Sequence, residues 1–116
     1  MNLDKKVGET SNGYSRIYLE GSILSENGFN VGDRYTVTYR VEGITLSTRP
    51  SAERMGETKG TKKVSKKVKN GVLIPVIDLC DGKKKAFIKV TLGGKNAPIS
   101  IEGNKKYETL FIKKGQ

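Results

Sequence analysis

The chain has 116 residues, 34% of them hydrophobic, with no Trp and no His, and its 22 basic against 12 acidic side chains give a net charge of +10. That length suits one domain with a modest core of Val, Ile, Leu and Tyr. The lone cysteine, Cys80, excludes an internal disulfide and fits a reduced setting, the missing Cys/His cluster excludes structural zinc, and no apolar run reaches membrane-spanning length.

In chain order, residues 1–14 are polar, carry Gly8 and Gly13, and read as a flexible arm without the apolar segment of a secretion signal, so a soluble, cytoplasmic protein is expected. Arg16 to Leu19 reads as a short strand. Gly21 to Gly28, holding Ile23 and Leu24, reads as a helical turn or two closed by a glycine. Val31-Gly32-Asp33 is a turn. Tyr35, Val37, Tyr39 and Val41 alternate with Thr36, Thr38 and Arg40, the period of a strand with one buried face. Glu42-Gly43 reads as the bend of a hairpin and Ile44 to Leu46 as its return.

Residues 47–62 lack periodicity and are rich in Gly, Ser and Thr, which reads as a linker. Asn70-Gly71 is a strong two-residue hairpin signal and pairs Lys63–Lys69 with Val72–Ile74. Pro75 favours an edge strand or a turn. Ala86 to Leu92 alternates again, with Ile88, Val90 and Leu92 as the inward set, so a strand is expected there. Ile99 to Ile101 returns, Tyr107 to Ile112 adds a last strand, and the chain ends in a short tail.

The expected fold is all-β: a small barrel built from two pseudo-repeats with one or two short helical turns. Residues 15–46 and 63–103 form the repeats and 104–116 the C-terminal strand and tail. Each repeat has a short apolar strand, about one helical turn, a Gly/Asp turn and a hairpin with Gly in its bend, with Tyr18 matched to Ile74. A unit of about 30 residues is too small to fold alone, so the two are expected to close on one core shared by Val37, Val41, Val90 and Ile101.

These segments resemble the swapped-hairpin superfamily of SpoVT/AbrB regulators and MazE-type antidotes. The second repeat, Gly71-Val-Leu-Ile-Pro-Val-Ile-Asp-Leu79 with its Gly turn and hairpin, carries that resemblance. The first, from Arg16 through Gly32-Asp33 to Tyr35-Thr-Val, is closer to the SymE-like toxin branch. The resemblance covers about three quarters of the chain. It implies interleaved strands, a DNA-binding role, and a regulator or toxin-like factor of a toxin–antitoxin, phage or mobile-element locus. Arg16 matches a basic position before the first strand, whereas the helical turn Ser22 to Asn27 has no basic residue and Val72 stands where Arg16 would recur.

Charge points the same way. Residues 1–58 hold seven basic and eight acidic residues, a net −1, whereas residues 59–116 hold fifteen Lys and four acidic residues, a net +11. Such asymmetry suits a polyanion, duplex DNA ahead of RNA. The candidate contacts are Arg16, Arg40 and Arg49 for the groove, with Lys62, Lys63, Lys66, Lys67 and Lys69 on one ribbon and Lys83, Lys84 and Lys85 on a loop for phosphates. The structural alternatives are an edge strand protected by lysines and ion pairs of Arg16 with Glu20 or of Arg34 with Asp33 or Glu26. Cys80 is expected to be buried or inert. No nucleophile–base pair, phosphate loop or metal set is present, so neither catalysis nor a cofactor is expected; Asp78 and Asp81 are the one conceivable Mg²⁺ pair. The rival partner is an acidic protein or guide-RNA complex, with the chain acting as an inhibitor of a host defence nuclease. An RNA-acting toxin is a third possibility. A monomeric pseudo-dimer or a homodimer fits either partner.

Overall fold

The computed structural model describes residues 2–48 and 57–115, the side chains of 57–61 excepted. Ten strands and two short helices follow in order: β1 (Asn2–Lys6), β2 (Gly8–Glu9), β3 (Ser15–Glu20), α1 (Ser22–Ser25), β4 (Arg34–Arg40), β5 (Gly43–Ser47), β6 (Glu57–Lys63), β7 (Ser65–Lys69), β8 (Val72–Cys80), α2 (Phe87–Thr91), β9 (Pro98–Asn104) and β10 (Thr109–Lys114). All pairings are antiparallel. One sheet has the order β1-β9-β10-β5-β4-β6 and the other β2-β3-β8-β7. Among the described residues no helix is long and apolar enough to cross a membrane.

The chain repeats itself, but in units other than 15–46 and 63–103. Strands β1 to β5 with α1 form one unit, and β6 to β10 with α2 form the other. Exchanging the two maps the strand order of each sheet onto itself. The correspondence reaches single residues. Lys5 faces Ile99 as Lys62 faces Tyr35, and Lys6 faces Pro98 as Lys63 faces Arg34. The pseudo-twofold axis passes between Tyr18 and Asp78 in one sheet and between Thr45 and Phe111 in the other, so that Leu46 opposite Leu110 exchanges with Ile112 opposite Ile44.

Two valines join the sheets. Val7, between β1 and β2, and Val64, between β6 and β7, are buried in the core. At each, the strand leaves one sheet and enters the other. The Val7 N–H donates to the Ala97 carbonyl (2.9 Å) and the Asn96 N–H to the Val7 carbonyl (2.8 Å). Val64 repeats this with Asp33 (2.8 Å) and Gly32 (3.0 Å). Loop residues thus satisfy the backbone where the ladder breaks, so the bends cost no orphaned polar groups. They also leave two open sheets in place of the expected closed barrel.

Inward positions alternate as a half-buried strand requires: Ile17 and Leu19 on β3, Tyr35 and Val37 on β4, Ile77 and Leu79 on β8, Ile99 and Ile101 on β9, Leu110 and Ile112 on β10. Neither unit completes this core by itself. The β3–β8, β5–β10, β1–β9 and β4–β6 ladders all cross between units.

Several expectations are corrected. Residues 2–6 and 8–9 are strands, joined through Val7 in the core, and not a flexible arm. Residues 57–62 of the expected linker, together with Lys63 of the expected second repeat, form β6, paired with β4; Ser47 ends β5 and is buried, and residues 49–56 lie outside the described ones. The C-terminal strand β10 sits in the centre of the larger sheet. The largest correction is α2, where a strand was expected. The Asp81 carboxylate accepts from the backbone N–H groups of Ile88 (2.9 Å) and Lys89 (3.0 Å), which satisfies the first turn of a helix. Phe87 stacks on Tyr39 at 4.6 Å between centroids. Ile88 and Leu92, four apart, are therefore buried, and Val90 is 80% exposed. Val41 is also outside the core, because Arg40 pairs with Gly43 and Val41-Glu42 makes the hairpin turn.

Candidate nucleic-acid interface

The β7–β8 hairpin is built by its turn. Asn70 and Gly71 both adopt positive φ (52° and 77°), the combination whose twist matches two paired strands. Five rungs follow, from Lys69 opposite Val72 to Ser65 opposite Val76. The two rungs nearest the body rest on it through the buried Pro75 and Val76; the three beyond project as a ribbon. Its counterpart in the first unit, β2–β3, has two rungs, Gly8 opposite Arg16 and Glu9 opposite Ser15, with a Thr10–Tyr14 bond closing a short loop. The longer ribbon is thus peculiar to the second, basic unit.

Lys67, Lys69, Val72 and Ile74 share one face of the ribbon, and Lys66, Val68 and Leu73 the other. Val68, Val72 and Leu73 are 65%, 60% and 55% exposed. Lys67 is anchored by Glu20 (3.2 Å), which holds the Glu20 carboxyl below its usual range. Lys62 and Lys63 are exposed at the foot of the ribbon, immediately before the Val64 bend. Lys62, Lys63, Lys66, Lys67 and Lys69 therefore follow one bent strand.

The remaining candidates do not join them. Lys83, Lys84 and Lys85 are exposed on a tight turn closed by reciprocal Gly82–Lys85 backbone bonds, beyond the far end of β8. Eight residue steps at about 3.3 Å place that end roughly 26 Å from the ribbon tip. Arg16 is fixed by Asp78, not Glu20: its Nε and an Nη donate to the two carboxylate oxygens at 2.9 and 2.8 Å, and the guanidinium lies 5.3 Å from the Tyr18 ring. That fork holds the Asp78 carboxyl below its ordinary pKa. Arg40 lies 3.9 Å from Glu42 at the hairpin turn, at the end of β4 remote from the Val64 bend. Arg49 falls outside the described residues.

The conceivable Mg²⁺ pair is engaged elsewhere, Asp78 with Arg16 and Asp81 with the first turn of α2. Cys80 is exposed, contrary to one expectation for it. Partial burial and then a hydrogen bond to Asp78 push its thiol pKa up, which disfavours the reactive thiolate.

A second lysine cluster carried no expectation. Lys5 and Lys6 on β1 and Lys113 and Lys114 on β10 line the cleft at the end of the larger sheet. Its signal was in the sequence: Lys5-Lys6-Val7 recurs as Lys62-Lys63-Val64, and Asn12-Gly13 as Asn70-Gly71.

The chain matches no protein-family model, no curated protein and no solved structure.

Proposed function

We propose that the protein is a non-enzymatic nucleic-acid-binding protein that docks on duplex DNA through the β7–β8 ribbon. The observation that supports this reading is a projecting two-stranded ribbon with Lys66, Lys67 and Lys69 exposed along it. A major groove about 12 Å wide admits such a ribbon. Lysines on both faces meet the phosphates at the groove walls, as compact charges with little directionality. Val68 and Leu73, opposite one another on one face, are available to the apolar base edges, the thymine methyl first.

Fluorescence anisotropy with duplex DNA, single-stranded DNA and RNA across a salt series tests this. Each phosphate contact contributes about 0.9 to the slope of log K against log salt. Lys67 is already committed to Glu20, so Lys66→Gln with Lys69→Gln lowers that slope by about 1.8. Affinity indifferent to salt between about 50 and 200 mM, or a slope unchanged by the double variant, refutes the reading.

A second reading rests on the exposed Val68, Val72 and Leu73, which suit the apolar centre of a protein contact rimmed by lysines. The partner would then be an acidic protein or a guide-RNA complex of a defence nuclease. A stoichiometric protein that co-purifies, survives nuclease treatment and is lost on Val68→Ser with Leu73→Ser favours this reading over the first.

A further inference from the structure

Away from the ribbon, lysines of the two chain ends meet. The registers of β1, β9 and β10 set Lys5 opposite Ile99 and Ile99 opposite Lys114, with Asp4, Ser100 and Lys113 in the adjoining row. Residues of one row share a face. Ile99 is buried in the core, so Lys5 and Lys114 stand on the core side of the sheet and flank it. Their stems cover the rim of the core while the ammonium groups reach water. The two backbones are two strand spacings apart, about 9.6 Å, a span over which two lysine side chains converge on one anion.

With Lys6 and Lys113 from the adjoining rows they line a cleft of ≈ 660 Å³ whose only lining carboxylate among the described residues is Asp4. Lys113 is paired with Glu102. Among the described residues Lys5, Lys6 and Lys114 have no ion pair.

The fold does not demand this arrangement. In the pseudo-equivalent place, Lys62 and Lys63 repeat Lys5 and Lys6, but Ser47 and Thr48 stand where Lys113 and Lys114 would. The Thr48 hydroxyl donates to the Glu108 carboxylate at 2.7 Å. With Lys113 held by Glu102, the ammonium groups of Lys5, Lys6 and Lys114 at one end of the molecule repel one another unless an anion offsets them.

We propose that this cleft is an anion site for a ligand carrying at least two linked phosphates, gripped between Lys5 and Lys114. Its volume lies within the range of small-ligand pockets and far exceeds one phosphate. The site is separate from the ribbon and does not depend on the ribbon binding DNA. The linked phosphates belong either to a free oligophosphate or nucleotide or to a nucleic-acid backbone.

The test is an amide NMR titration of the full chain with tripolyphosphate in about 0.1 M salt, where exposed charges are screened beyond about 10 Å. Amides of residues 4–6, 98–100 and 113–115 shift along one saturating curve. Lys5→Gln with Lys114→Gln weakens binding about tenfold or more, since each contributes a charge-assisted hydrogen bond. The control pair Lys83→Gln with Lys84→Gln removes the same charge and leaves the affinity unchanged. Shifts spread equally over residues 66–69 and 83–85, or a cleft variant that binds like the parent protein, overturns the proposal. A short DNA duplex then separates the two sources. Displacement of tripolyphosphate assigns the cleft to backbone phosphates, and simultaneous binding assigns it to a free oligophosphate; both support the site. Ribbon variants leave the tripolyphosphate affinity intact, so failure of the ribbon reading and failure of the cleft are seen separately.

Discussion

Replacing Asp81 tests the contact that makes residues 87–91 a helix. Its side chain is nearly buried, its own N–H donates to the Ser15 carbonyl (2.9 Å), and its two carboxylate oxygens serve the Ile88 and Lys89 N–H groups. Ile88 is fully buried, so Asp81→Ala leaves its N–H without an acceptor and without ready access to water. An unsatisfied buried donor costs about 1–3 kcal/mol, and loss of an N-terminal cap about 0.5–2 kcal/mol. These are two descriptions of one loss, and about 2 kcal/mol is the expected total. With a urea m-value of about 2 kcal/mol/M, the unfolding midpoint followed by circular dichroism falls by about 1 M. Asp81→Asn keeps one acceptor oxygen and falls by less. A midpoint for Asp81→Ala within about 0.2 M of the parent, under about 0.5 kcal/mol at that m-value, refutes the idea that the carboxylate holds α2.

Cleavage of the chain after Arg49 or Arg54 leaves two fragments that co-elute under native conditions, because four ladders cross between the units; fragments that separate at once would show independent units. Gly103→Ala drives a methyl group into the Asn27 side chain, which is buried and donates to the Ile23 carbonyl. A loss of about 1–3 kcal/mol is expected, and Asn27→Ala in the same chain makes the double variant less unstable than the sum of the singles by thermal unfolding. The depressed carboxyls of Asp78 and Glu20 contribute stability at neutral pH that disappears as pH falls through their folded-state values. Carboxyl NMR titration finds both below the ordinary range, and Arg16→Gln returns Asp78 towards it. Burial pushes the Tyr35 phenol up to about 12, so stability drops as pH rises from about 10 towards that value, and phenolate absorbance shows a tyrosine ionising near that value, well above an ordinary phenol.

The amino-acid sequence alone determined what is local. The strand class, the Asn70-Gly71 hairpin, the hairpin after Arg40, the helical turn holding Ile23 and Leu24, and the inward set of Tyr35, Val37 and Ile101 all follow from turn chemistry or from a period of two over a few residues. The basic ribbon was legible for the same reason, since its lysines and its turn are contiguous. Tertiary structure decided α2. Ala86 to Leu92 alternates and is rich in β-prone side chains, but the Asp81 carboxylate and the stacking of Phe87 on Tyr39 act from outside that window and outweigh its local preference. Reading α2 as a strand shifted the second repeat by one element, so Ala86 to Leu92 stood in for β4 and Pro98 to Ile101 for β5, whereas β9 and β10 are the true counterparts. Only the fold paired Arg16 with Asp78 and left Lys83, Lys84 and Lys85 far from the ribbon tip. It alone gathered Lys5, Lys6, Lys113 and Lys114, because strands at opposite ends of the chain become neighbours through β9, and which strand lies beside which is settled by shared burial between residues far apart in the sequence.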